Sequence, residues 1–237
     1  MAKAELSVLL QALSGKAGNV VFTKAKDGTH VRPHIKGTNP NTPAQQLIRE
    51  NFTKASGIYR TFNTSQLQAW KNYAQFQTVS DALDGSKSKP TAFNAFMKLA
   101  CKFLQVDPDG TVPTTPPTTG FNGDNVDLTV TGGTGELTFT ASAANASGVT
   151  TEILLQPLAN ANRKPQSGAY RHKLFHVFTT GNLSLDVTVP VGYYAAGYRF
   201  VKTATGQAST LQTLAVQGVT LAIESGGANT KISKKAA

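Results

Sequence analysis

The chain has 237 residues, 40% of them hydrophobic and 15% charged, with 23 Lys+Arg against 13 Asp+Glu. That length holds two ordinary domains of about 100 residues, each with its own core. The composition excludes a disordered chain, which is poorer in apolar residues and richer in charge.

The charge is unevenly placed. Residues 1–105 carry 14 cations against 5 carboxylates, a net of +9, whereas residues 106–237 carry 9 against 8, a net of +1. Two domains with separate jobs are expected, a basic attachment module and a near-neutral display module. Met1–Glu5 lacks the apolar core of a signal peptide, and Leu6–Leu13 is shorter than the roughly 20 residues that span a bilayer, so a cytoplasmic origin without membrane attachment is expected. A single cysteine, Cys101, excludes an internal disulfide and a multi-thiolate zinc site, and its apolar helical setting reads as a buried structural thiol.

In chain order, the first predicted element is a β-hairpin over Gly18–His34, with strands Asn19–Thr23 and Thr29–Arg32 around an Asp27-Gly28 turn. A helix is predicted to start at Pro43, with Thr42 as its cap and Gln45 closing a capping box. Its stripe of Ala44, Leu47, Ile48, Phe52, Ala55, Ile58 and Tyr59 predicts one packed face. A second helix is predicted over Ser65–Gln77 with Trp70 as core anchor. A third begins near Pro90 and turns Phe93, Phe96, Met97, Ala100, Phe103 and Leu104 inward. Residues 1–105 thus read as a basic α+β domain, a hairpin plus three helices.

Residues 106–120 contain four prolines and five threonines, predicting an extended, semi-rigid linker. Seven short strands follow, at Val126–Thr131, Glu136–Ser142, Thr150–Pro157, Tyr170–Thr179, Leu183–Val189, Tyr194–Thr203 and Thr210–Ala222. That count predicts an immunoglobulin-like β-sandwich over residues 121–224, without the disulfide of antibody domains. Residues 225–237 lack an apolar period and read as a flexible basic tail.

In the second domain, Tyr198-Arg199-Phe200-Val201 with Ala204, Gly206 and Ser209 resembles the late strands of fibronectin type III domains. In the first, Ser14–Val21, Arg32, Asn39–Gln45 and Arg49 resemble a family of uncharacterised bacterial and prophage proteins. Leu67, Trp70, Thr91, Phe93, Asn94 and Phe96 resemble that family's closing helices. The resemblance covers residues 13–104. It implies a small phage structural protein with an appended sandwich domain, and no catalytic residues.

No catalytic motif is assembled. His30 and His34 are four apart, as are His172 and His176, but four residues of strand separate side chains by about 13 Å, so no metal site is expected. Gly15-Lys16 lacks the leading glycine and following Ser or Thr of a phosphate loop, and Asp107–Gly110 lacks the later ligands of a calcium loop. Four Asn-x-Ser/Thr triplets, at Asn51, Asn63, Asn145 and Asn182, read as chance without a secretory signal. Asp186 and Glu152 read as isolated strand carboxylates. No enzymatic activity and no cofactor are expected.

The densest positive cluster is Lys16, Lys24, Lys26, Arg32 and Lys36, to which Arg49 adds a helical cation. Lys24 and Lys26 share one strand face, and Arg32 is placed with them across the hairpin. The expected contact is an acidic protein surface, with non-specific nucleic acid or plain solubility as alternatives. Together with the resemblance, this gives a virion structural protein made in a bacterial cytoplasm, present in multiple copies of a symmetric assembly. Capsid decoration on the major capsid protein comes first, a neck or tail component second, and a nucleic-acid-binding protein is the alternative of another class. Carbohydrate binding by the sandwich would need exposed aromatics, for which Tyr170, Tyr193, Tyr194 and Tyr198 are the candidates.

Overall fold

The computed structural model describes residues 2–4, 14–25, 28–37, 39–80 and 87–220. The chain divides into two compact units, Met1–Thr118 and Thr119–Ala237. The tail expected at 225–237 lies outside the described residues.

In the first unit, β1 (Ala2–Ala4), β2 (Gly15–Ala17), β3 (Val20–Ala25) and β4 (Gly28–Pro33) form an antiparallel sheet of order β1-β4-β3-β2. The predicted hairpin is β3–β4. The two outer strands are three residues long, too short to carry a period-2 signal. Ala25 pairs with Gly28, so Gly28 belongs to the ladder rather than to a turn with Asp27, and the connecting Lys26 and Asp27 lie outside the described residues. This register sets Phe22 opposite Val31, which keeps the two apolar side chains on one face.

Three helices follow: α1 (Pro43–Arg60), α2 (Thr64–Phe76) and α3 (Ala92–Val106). Thr42 and Gln45 make the predicted capping box, Asn63 and Gln66 make a second one for α2, and the Thr91 side chain caps α3. Between α2 and α3 lies a two-residue-per-strand ribbon, β5 (Val79–Ser80) with β6 (Lys87–Ser88). The core gathers Ala55, Phe62, Trp70, Ala74, Phe96, Ala100, Phe103 and Leu104. Phe96 sits at its middle, 5.0 Å from the Phe62 ring and 5.1 Å from Trp70.

The Pro/Thr segment departs from the expected spacer over its first part. Val112 is buried in the helical core, and the Trp70 indole N–H donates to the Thr114 carbonyl at 2.8 Å. A buried indole N–H needs an acceptor, and this stretch, itself free of helix or ladder bonds, supplies one.

The second unit has β7 (Leu128–Gly132), β8 (Glu136–Ala141), β9 (Val149–Leu158), β10 (Arg171–His176), β11 (Ser184–Thr188), β12 (Gly192–Lys202) and β13 (Gln212–Val219). They form two antiparallel sheets, β11-β8-β7 and β10-β9-β12-β13. Alternate residues of both, including Leu137, Phe139, Ile153, Leu155, Val187, Ala196, Tyr198 and Phe200, share one core. The Tyr198 hydroxyl accepts from the Leu128 amide at 3.4 Å and so ties the two sheets together. This is an immunoglobulin-like sandwich whose fourth strand has joined the sheet of the third, sixth and seventh. The fold class is therefore the predicted one, an α+β unit followed by an all-β sandwich.

β9 is buried on both faces along most of its length. On the side away from the main core, Leu154, Leu158, Tyr170 and Ala195 form a second small cluster. Any polar residue on that side of β9 must therefore find its partners inside the protein.

Candidate functional site

The first unit's cations do not form one ribbon. Lys16 and Arg32 both pair with Val21, from opposite sides, so they share a face of the sheet, and both are exposed. The Lys24 backbone pairs with Thr29 in the same ladder. Alternation along a strand fixes faces only once the cross-strand register is known, and that register joins Lys16 and Arg32. Lys26 lies outside the described residues, and Lys36 is exposed in the segment after β4.

Arg49 is engaged within the protein. Its Nη1 donates to Asn41 Oδ1 at 3.0 Å and its Nη2 to Asn39 Oδ1 at 2.7 Å. Gln46 Nε2 donates to the Asn41 carbonyl at 3.2 Å, and Asn41 holds a φ of 50°, the left-handed region that Asn tolerates. The run Asn39–Gln45 with Arg49 is a clamp that sets the direction of α1.

The surface that sequence reasoning missed lies on α1. Leu47, Ile48 and Phe52 were expected to pack, yet they are 48%, 58% and 50% exposed. The helical core receives α1 from Asn51 onward, through Ala55, Ile58 and Tyr59, and the stripe outruns the surface that receives it. Within the stripe stands Asn51, only 2% exposed, whose Nδ2 has no hydrogen-bond partner. Ile35, 79% exposed, adds a further apolar side chain to the unit's surface. The signal in the sequence was a polar Asn51 in the middle of an otherwise apolar face.

A cavity of about 330 Å³ opens between α2 and α3, lined among others by Tyr73, Thr91, Asn94 and Lys98. Burial pushes the Tyr73 phenol above its ordinary pKa, and Lys89 beside it donates to the Gln75 carbonyl. Cys101 is half-buried rather than fully buried, and desolvation raises its thiol pKa.

In the second unit Glu152 is not isolated. It is fully buried on β9, its Oε2 accepting from Arg199 Nε at 2.6 Å and its Oε1 from Arg199 Nη2 at 3.2 Å, with His172 Nδ1 at 3.1 Å from Oε1. Strand pairing brings these groups together, since Arg199 is directly opposite Glu152 and a bulge at Lys173 shifts His172 alongside. Asp186, by contrast, is exposed on β11. His176 is directed elsewhere, its ring 4.7 Å from Phe178. Of the four tyrosines considered for carbohydrate binding, Tyr170, Tyr194 and Tyr198 are buried and Tyr193 is exposed.

Among the described residues no group of three or more His, Cys, Asp or Glu is placed to hold a metal ion. No helix among them is long and apolar enough to cross a membrane.

No family model matches the sequence, and no curated protein matches it. Among solved structures, the chain is similar to Bacillus amyloliquefaciens CBM33 in complex with Cu(I), at 18% identity over 39% of this chain and 56% of that one, TM-score 0.27. It is similar to the chicken CNTN1 FN1–FN3 domains at 13% identity over 61% of this chain and 43% of that one, TM-score 0.29. Entomopoxvirus fusolin matches at 12% identity over 85% of this chain and 75% of that one, TM-score 0.28. The chain spans little more than half of the first of these chains and less than half of the second. Likenesses with TM-scores this low carry no functional argument.

Proposed function

We propose that this chain is a bacteriophage virion structural protein, a capsid-associated decoration protein that docks through its first unit and displays the sandwich. The observation that carries the reading is the exposed stripe of Leu47, Ile48 and Phe52 around the unpartnered, buried Asn51. A contiguous apolar patch on a soluble chain marks an interface, and a buried amide donor without an acceptor favours a partner that brings one. Lys16 and Arg32, together on one face of the sheet, add a cationic contact suited to an acidic protein surface. Many symmetric copies would let a modest patch suffice, because avidity multiplies weak contacts. The partner in this reading is the major capsid protein, and the chain is made in the host bacterial cytoplasm.

Quantitative mass spectrometry of the particle fraction across a density gradient tests the proposal. Co-sedimentation in fixed ratio to the major capsid protein is expected, a high ratio supporting decoration and a scarce one moving the assignment to neck or tail. A Leu47→Ser, Ile48→Ser, Phe52→Ser variant should stay folded and fall at least about tenfold in incorporation, as expected when apolar anchors at an interface centre are lost. Unchanged incorporation would remove α1 as the docking surface. Absence of the chain from particles, with duplex binding of steep salt dependence, would replace the virion reading by nucleic-acid binding.

A further inference from the structure

The cavity of about 330 Å³ in the first unit is bordered by the end of α2, the β5–β6 ribbon and the start of α3, and ligand pockets begin at about that size. Along it α3 lays two pairs of residues, each four apart and so on one side of the helix. Ala95 and Leu99 are buried and form an apolar floor, while Asn94 and Lys98 are exposed and stand at the rim. Val79 and Pro90 continue the apolar side, and Val79 is 48% exposed.

The charged groups of this lining are of one sign. Lys89 and Lys98 both border the cavity, and among the described residues no carboxylate borders it and neither lysine has a carboxylate partner. Lys89 donates to the Gln75 carbonyl, which holds its ammonium against the end of α2. The Thr91 hydroxyl is engaged as the α3 cap. The Tyr73 phenol, raised in pKa by burial, stays protonated at neutral pH and remains a hydrogen-bond donor. Loose packing accounts for an apolar hollow, and solubility accounts for lysines on an open surface. Neither accounts for two ammonium groups without carboxylate partners around one apolar floor.

We propose that this cavity binds a small amphiphilic carboxylate, its apolar body on Ala95, Leu99, Val79 and Pro90 and its carboxylate at the rim between Lys89 and Lys98. Burial of the apolar body supplies affinity, and the two ammonium groups fix its orientation. An inorganic anion has nothing to place on the floor, and a neutral amphiphile leaves two like charges without a counter-charge, so the lining asks for both parts in one molecule. The inference uses none of the α1 or sheet residues that carry the virion reading and stands independently of it.

Equilibrium dialysis of the full chain against radiolabelled octanoate tests it, with labelled octanol and unlabelled inorganic phosphate as comparisons. One octanoate should bind per chain, half-saturating at or below about 1 mM, and phosphate at equal concentration should displace little of it. Lys89→Met and Lys98→Met each remove a charge and keep a long apolar stem, so each should weaken octanoate at least about tenfold and leave the weaker binding of octanol unchanged. Both lysines are exposed, so the urea transition read from Trp70 should stay in place. Absence of saturable octanoate binding by about 10 mM overturns the proposal. Octanoate binding that both variants retain lies on another surface, the exposed α1 stripe included, and overturns it equally. Parallel loss of octanol would show the lysines acting on the shape of the cavity rather than on the carboxylate, and ready displacement by phosphate would leave an anion site without its apolar floor. Either result overturns it as well.

Discussion

Asn51 in α1 and Glu152 in β9 are both buried polar side chains among apolar neighbours, and the two units treat them differently. Each carboxylate oxygen of Glu152 is bonded, one to Arg199 and the other to Arg199 and His172. The Nδ2 of Asn51 has no acceptor at all. A buried donor left unmade costs about 1–3 kcal/mol, so a folded chain keeps one only where something else is gained. In the sandwich the polar group is completed by the fold, and the strand that carries it is covered on both faces. In the helical unit the incomplete group stands within a stripe that solvent still reaches at Leu47, Ile48 and Phe52. The contrast separates a polar group whose partners the fold supplies from one whose partner it does not.

Breaking the finished site should have the largest effect. Arg199→Met takes the guanidinium from a buried carboxylate, and loss of one partner from a buried pair costs about 3–5 kcal/mol. Urea unfolding followed by circular dichroism measures it. The chain's single tryptophan, Trp70, lies in the first unit, so its fluorescence should stay unchanged as the sandwich transition moves. Adding Glu152→Leu should return most of the loss, since a well-packed apolar pair replaces a buried ion pair at little cost. A loss below about 1 kcal/mol would mean that solvent at the half-exposed Arg199 screens the pair as it would a surface one.

Filling the unfinished site should act in the opposite direction. Asn51→Leu removes a donor without an acceptor and extends the apolar stripe, so the helical unit should gain about 1–2 kcal/mol, read from Trp70 fluorescence in urea. Under the proposed docking, incorporation into particles should fall at the same time, because an acceptor brought by the capsid would then have no donor. A variant both less stable and equally incorporated would show that Asn51 is satisfied by water and has no part in docking.

Much of the fold was legible because it rests on local signals. Pro43 behind a Thr42–Gln45 capping box marked the start of α1, and turn signals between short runs marked the seven sandwich strands. What was not legible depends on pairing between distant segments. Glu152 meets His172 and Arg199 across separations of 20 and 47 residues, and only the order β10-β9-β12 joins them. The shared face of Lys16 and Arg32 comes from register between strands, whereas the sequence displays only alternation within one. The stripe on α1 was read correctly as a face, but periodicity says which residues share a face and not what covers it.

A smaller effect, dependent on pH, sharpens the contrast between finished and unfinished groups within the sandwich itself. His176 packs on Phe178 with its Nε2 buried and without a partner, and desolvation lowers its pKa below the ordinary value of 6.5. The imidazole is therefore neutral in the fold at a pH where the unfolded chain already takes up a proton. Stability tied to that neutral ring is complete above 6.5, declines as the pH falls through 6.5 toward the lower folded value, and levels off below it. A melting curve sums every ionisable group of the chain, so the informative quantity is a difference between two proteins. The melting temperature of the natural chain should fall further between about pH 7.5 and pH 5 than that of His176→Leu, which has no proton to bind. Parallel curves would mean that water reaches the ring and that its proton affinity is the same folded and unfolded. A steeper fall in the natural chain would make His176 the sandwich's counterpart of Asn51, a group for which the fold supplies no partner.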